Sequence, residues 1–138
     1  MTVYIDTSVV LRVLLREPNP VKNWGRWERG YSSNLWSVEA LRTVDRLRLS
    51  GQLIDREVAV LVGAIRTIDE TLTIRTLDDA IMERASQSFP TSIGTLDALH
   101  LSTALAIRQS AAVEFFLTHD AQLGTAAQSV GFEVSGVE

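Results

Sequence analysis

The sequence predicts an α/β protein in three layers, with a central, mostly parallel, twisted sheet between two layers of helices. Three observations predict it. Short β-favouring runs alternate with longer stretches at helical spacing along the whole chain. The segment Val113–Leu117 is predominantly apolar and reads as a buried central strand. The long helical stretch between residues 37 and 69 reads as a helical hairpin inserted between strands.

Taken in order, Val3-Tyr4-Ile5 is a short strand ending at Asp6, and Thr7 and Ser8 open a helix. Val9, Val10, Val13 and Leu14 recur at helical spacing, with Arg12 and Arg16 on its polar face; Pro18 and Pro20 end it. A second helix is placed over Trp24 and Trp27, stopping at Gly30, and Tyr31–Leu35 is a short strand. Ser37 is placed as the cap of a helix through Leu41, Val44 and Leu47 to about Leu49, stopped by Gly51. Asp55 is placed as the next cap, before a stripe of Val58, Leu61, Val62, Ile65 and Ile68. Leu72–Arg75 alternates like a strand, Leu77–Ser88 reads as a helix and Phe89–Gly94 as a link. Thr95 is placed as the cap of the helix Leu96–Arg108. After Val113–Leu117 come a short helix, His119–Val130, a stop at Gly131 and a last strand, Phe132–Val134.

With no internal repeat and no linker composition, residues 1–138 are expected to form one domain. No apolar run reaches membrane-spanning length. No basic and hydrophobic leader precedes Val3, so a secretory signal is not expected. The chain has no cysteine, which excludes disulfides, thiolate metal sites and cysteine nucleophiles and suits a reducing cytoplasm. The formal net charge of −4 argues against binding nucleic acid by bulk positive charge. The charge is uneven, however. Residues 1–50 hold eight Lys/Arg against five Asp/Glu, whereas residues 51–138 hold five against twelve, so the first part is the one suited to face a polyanion.

Four carboxylates fall at special places. Asp6 is at the carboxyl end of the first strand and Asp120 lies just past the strand Val113–Leu117. Glu39 and Asp97 are each placed in the first turn of a helix, two residues after Ser37 and Thr95. Ligands of an open parallel sheet gather outside the carboxyl ends of its strands, and the following helices begin on that edge. The four acids are therefore expected to converge. Crowded carboxylates raise one another's pKa; helix amino ends offset this by roughly 0.3–1 kcal/mol each, and a hard divalent cation offsets far more. An all-oxygen set suits Mg²⁺ or Mn²⁺, which acidifies bound water and stabilises charge on a phosphodiester. Ser8 and Thr118 offer hydroxyls for supporting bonds. Singly, each acid could be only a helix cap or a dipole partner; the combination carries the argument.

The segments VYIDTSVVLRVLL, WSVEALRTV, TLDALHLSTAL and FFLTHDAQL resemble, in order, the four motif regions of PIN-domain nucleases, over nearly the whole chain. The DALH-x-x-TA and LTxD patterns are most similar to VapC-type toxins of type II toxin–antitoxin systems. The resemblance implies a PIN-like fold. It implies Asp6, Glu39, Asp97 and Asp120 as the acidic quartet, and Thr7, Ser8 and Thr118 as supporting polar positions. It further implies a metal-dependent endoribonuclease that leaves a 5′-phosphate and a 3′-hydroxyl, with Asp6 and Asp97 as the first direct metal ligands. It implies a homodimer and a cognate antitoxin whose chain lies across the groove and sends a basic side chain into the acidic site.

RNA contact is then expected from Arg12, Arg16, Arg42 and Lys22, with Arg26 as a further phosphate contact. Arg42, three residues from Glu39, could instead orient it, and Arg46 and Arg48 are read as solvating their helix. His100, one turn after Asp97, is read as a hydrogen-bonded structural residue rather than a proton shuttle. His119 is placed at the surface or in support of Asp120. Trp24 and Trp27 are read as a packing or partner face rather than a base-stacking platform.

Two rivals lack a required group. A haloacid-dehalogenase-like phosphatase needs a second Asp two residues after the first, where Ser8 stands. A receiver domain needs a late lysine, and the only lysine is Lys22. A non-catalytic PIN-like binding domain has no use for four repelling charges. A housekeeping RNA-processing PIN nuclease remains the alternative, distinguished by the absence of an antitoxin reading frame just upstream.

Overall fold

Val3, Tyr4 and Ile5 are all buried, which consecutive strand residues achieve only where both faces of a sheet are covered. The computed structural model describes residues 1–137; Glu138, the last residue of the expected domain, lies outside them. The elements run β1 (Thr2–Ile5), α1 (Thr7–Leu14), β2 (Arg29–Ser33), α2 (Leu35–Leu49), α3 (Asp55–Thr71), β3 (Thr73–Arg75), α4 (Asp79–Ala85), α5 (Thr95–Arg108), β4 (Phe115–Leu117), α6 (Ala121–Ser129) and β5 (Val134–Ser135). The strands form one sheet in the order β3-β2-β1-β4-β5. Every neighbouring pair is parallel, so the sheet is parallel throughout the described residues.

The pleat divides the core in two. Val3 and Ile5 pack with Val9 and Val10 of α1, Trp36, Ala40 and Val44 of α2, and Leu61 and Ile65 of α3. On the opposite face Tyr4 and Phe116 pack with Leu101, Ala104 and Ile107 of α5 and Leu123, Ala126 and Ala127 of α6. This is the expected three-layer α/β/α arrangement, with α2 and α3 as the hairpin between β2 and β3. Among the described residues no helix is long and apolar enough to cross a membrane.

Several expectations shift. No helix forms over Trp24 and Trp27. Residues 22–25 make turns and Gly25 takes φ +73°, a left-handed conformation that interrupts any helix. The two indoles meet edge to face at 5.3 Å and pack on the first core, which is the packing role expected of them. β2 begins at Arg29 rather than Tyr31. Its Gly30 has no room for a side chain, because a Cβ there would lie 2.9 Å from Ile5 Cδ1 and 2.8 Å from Trp27 Nε1.

Helix α2 starts at Leu35, so Ser37 lies inside it; Ser33 Oγ accepts from Leu35 N (3.1 Å) and supports the earlier start. Asp55 and Thr95 are first helical residues, with Ile54 and Gly94 at the cap positions. Helix α4 is shorter than expected because Asp78 caps it, accepting from Ile81 N at 2.9 Å. β4 is interior, between β1 and β5, but β1 is the central strand.

Candidate active site

The first strand ends at Asp6, whose backbone is extended (φ −78°, ψ 150°) at the start of α1. That is the position of a helix cap, yet its side chain makes no cap bond. Instead Asp6 Oδ2 accepts from Ser8 Oγ (2.6 Å) and from Thr118 Oγ1 (2.9 Å). Thr118 follows β4, the strand beside β1, so the parallel register itself brings this hydroxyl to Asp6. Asp6 Oδ1 has no hydrogen-bond partner among the described residues, and its nearest cation is His100 Nε2 at 3.7 Å.

Asp120 does act as a cap, with Oδ1 accepting from Leu123 N at 3.1 Å; its own amide donates to Thr118 Oγ1 (3.0 Å). Its second oxygen is left without a partner among the described residues. Asp97 is in the first turn of α5, as expected, and its carboxylate makes no hydrogen bond there.

Glu39 departs from expectation. Because α2 begins at Leu35, Glu39 lies in the second turn, where the helix amino end gives little support. Side chains supply it instead: Oε1 accepts from Thr7 Oγ1 (2.8 Å) and meets His100 Nε2 at 2.6 Å. Arg42, considered for that task, is exposed and makes no bond to Glu39. His100 is fully buried, and its Nδ1 lies 2.8 Å from the Tyr4 hydroxyl. It is the hydrogen-bonded residue expected, but its partner is one of the four acids. The sequence signals were its place one turn after Asp97 and the polar end of Tyr4 in a buried strand. Neither named Glu39 as the partner.

The electrostatics join the four acids. Asp97 is pushed up to about 6, first by burial, then by the charges of Asp120, Asp6 and Glu39, with His100 opposing. Burial also pushes Glu39 up, but the His100 hydrogen bond and charge and the Thr7 hydroxyl bring it below its ordinary value. Burial pushes His100 down, and the Glu39 hydrogen bond with the Asp6, Glu39 and Asp97 charges raises it above its ordinary value. The opposite shifts of the two partners describe an ion pair.

The four carboxylates differ in how far their oxygens are already engaged. Asp6, Glu39 and Asp120 each have one oxygen fixed and one open, and both oxygens of Asp97 are open. The set is not a closed cage: among the described residues no group of three His, Asp or Glu is already positioned to hold an ion. By donor chemistry alone, carboxylate oxygens without a thiolate suit a hard cation such as Mg²⁺, which keeps several waters and takes one or two carboxylates directly.

The expected RNA contacts divide. Helix α1 ends at Leu14 and Arg16 lies beyond it with φ 55°, so Arg12 and Arg16 do not share a helical face. Arg16 lines a separate cavity with Leu53 and Arg56. Arg12 donates to Asn19 O (3.3 Å) and, with Lys22, lines a cleft that reaches His119. Arg26 is exposed, Arg46 reaches Thr43 and Arg48 pairs with Asp45. His119 is half-buried, its amide donating to Ser8 Oγ (3.0 Å) and its Nδ1 lying 2.7 Å from Gly136 O.

The family model described as "PIN domain" matches residues 3–127. The chain is also 30% identical over 137 residues to "Ribonuclease VapC47" of Mycobacterium tuberculosis (strain CDC 1551 / Oshkosh), covering 94% of this chain and 93% of that protein. With a wholly parallel sheet whose strand ends carry Asp6 and Thr118, and with matches that span the chain, this protein belongs to the PIN-domain family of VapC-type ribonucleases.

Proposed function

We propose that the chain is a Mg²⁺-dependent endoribonuclease, the toxin of a VapBC-type toxin–antitoxin pair, with Asp6, Glu39, Asp97 and Asp120 as its catalytic carboxylates. The observation that carries this reading is Asp97, whose open carboxylate is pushed up to about 6 by burial and by the charges of Asp120, Asp6 and Glu39, against the opposing charge of His100. Such a group is expected where a cation belongs. The name of the VapC47 relative supports RNA as the substrate.

Asp6 and Asp97 would hold the ion directly, and Glu39 and Asp120 would complete the shell directly or through water. Bound there, Mg²⁺ or Mn²⁺ supplies charge neutralisation and an acidified water. Ser8 and Thr118 fix one oxygen of Asp6, and Thr7 and His100 fix one oxygen of Glu39. The other oxygens are thus held ready without reorganisation. Water attacks an RNA phosphorus in line, the P–O3′ bond breaks, and a 5′-phosphate and a 3′-hydroxyl remain.

The cognate antitoxin closes this rim. Leu96 and Val38 are exposed beside Asp97 and Glu39, which suits a partner chain with apolar anchors around a basic side chain. The protein acts as a homodimer, as its family does, in the cytoplasm, which the absence of cysteine suits.

Purified, antitoxin-free protein incubated with total RNA tests the proposal. New 5′-phosphate ends are expected with Mg²⁺ and none with EDTA. Ends that form equally without metal, or none under either condition, would remove it.

A further inference from the structure

Tyr4 is fully buried, yet it keeps a hydroxyl inside the packed face of β1. Its ring stacks on Phe116 at 5.1 Å, and its oxygen lies 2.8 Å from His100 Nδ1. A phenylalanine would fill nearly the same space, so packing alone does not account for the oxygen. Tyr4 and Asp6 stand two residues apart in extended backbone and point to the same face of the sheet. The phenol is thus one pleat repeat inward of the Asp6 carboxylate.

The two ends of the His100 ring have different surroundings. Nε2 faces Glu39 Oε1 at 2.6 Å, Thr7 Oγ1 at 3.4 Å and Asp6 Oδ1 at 3.7 Å. Nδ1 faces the Tyr4 hydroxyl. An imidazole turned over about its Cβ–Cγ bond fills nearly the same volume but presents carbon where nitrogen stood. Packing scarcely separates these two orientations; hydrogen bonds do. Turned over, this fully buried ring would leave both Glu39 and the Tyr4 hydroxyl facing C–H groups. A phenol hydroxyl both donates and accepts, so it holds Nδ1 whether or not that nitrogen carries a hydrogen.

We infer that Tyr4 is a positioning residue of the carboxylate site. Its hydroxyl locks the His100 ring in the orientation that holds Glu39 Oε1, which leaves the other Glu39 oxygen for the cation. Glu39 comes from α2 on one face of the sheet and His100 from α5 on the other, so their bond joins the two helical layers at the carboxyl end of β1. This rests on the metal-dependent nuclease reading above and deepens it: one of the four carboxylates is aligned from the interior of the sheet.

Tyr4→Phe keeps the aromatic ring and changes no charge, so a change in metal affinity reports alignment rather than electrostatics. Calorimetric titration with Mn²⁺, at a temperature well below every variant's melting point, reads it. Tyr4→Phe should bind Mn²⁺ about 10-fold more weakly than the parent, and should cleave RNA with a lower kcat and an unchanged KM. Ile107→Ala loosens the same core without removing a polar group. It should lose at least as much melting temperature and still bind Mn²⁺ as the parent does. In a His100→Gln background, Tyr4→Phe should change Mn²⁺ affinity by less than about 2-fold, because the hydroxyl then has no ring to hold. Parent-like Mn²⁺ affinity in Tyr4→Phe, an equal loss in Ile107→Ala, or an undiminished loss in the His100→Gln background overturns the positioning role. The nuclease reading then still stands if the parent cuts RNA with metal and not in EDTA. A parent that neither binds Mn²⁺ nor cuts RNA overturns both.

Discussion

His100 Nε2 lies 2.6 Å from Glu39 Oε1, inside a fully buried ring position that also touches the Tyr4 hydroxyl. Breaking this pair is costly, because a half-buried Glu39 would keep only the Thr7 hydroxyl as its partner. His100→Phe is therefore expected to destabilise the protein by about 2–4 kcal/mol, and His100→Gln by less. Urea unfolding checks this; a loss below about 0.5 kcal/mol would show that the pair contributes little.

The same pair gives a pH dependence. Glu39 is lowered in the fold, so its contribution is present above its ordinary value of 4.5 and is lost as pH falls through the lowered one. His100 is raised, so its contribution is present below its ordinary 6.5 and is lost as pH rises through the raised one. Between 4.5 and 6.5 both are complete. The melting-temperature gap between parent and His100→Gln should be widest in that window and shrink on either side. A gap independent of pH would contradict the ion pair.

Asp97 works in the opposite sense. Its raised pKa means that the fold favours the protonated acid, so stability is lost as pH rises from 3.8 towards 6. In metal-free protein at pH 8, Asp97→Asn should be more stable than the parent by about 1 kcal/mol, after allowing for partial exposure. Added Mg²⁺ should raise the melting temperature of the parent and leave that of Asp97→Asn nearly unchanged. Calorimetry with and without Mg²⁺ reads both effects; a variant less stable than the parent at pH 8 would contradict the repulsion.

Gly136 has φ +112°, and a Cβ there would strike the Thr118 carbonyl oxygen. Since the Thr118 hydroxyl holds Asp6, strain at this point reaches the carboxylates. Gly136→Ala is expected to cost about 2–3 kcal/mol of stability and to lower RNA cleavage. Parent-like unfolding would contradict it.

Asp6→Asn keeps size and an acceptor for Ser8 and Thr118 but removes the charge. Cleavage with Mg²⁺ should fall by at least about 100-fold, while the melting temperature stays within a few degrees or rises. A folded variant cutting at the parent rate would remove Asp6 from the mechanism.

Much of this was legible in the sequence, because strand and helix periods differ and parallel sheets collect the residues at their strand ends. Asp6 and Asp97 lie where those rules put them. What escaped has two sources. Ser33 Oγ, rather than Ser37, accepts from the first turn of α2, so the reading from Ser37 placed Glu39 one turn too early. The support of Glu39 comes from Thr7 and His100, 32 and 61 residues away, which no local pattern encodes. The absent helix over Trp24 and Trp27 shows the limit of periodicity in a short segment with Gly25 inside it.

Crystals soaked in Mn²⁺ and measured at the manganese absorption edge address the shared cation site directly. An anomalous peak bridging Asp6 and Asp97, with Glu39 and Asp120 in the same coordination sphere or one water away, is the predicted result. At saturating Mn²⁺, no peak at this rim, or a peak held by other residues, would contradict it.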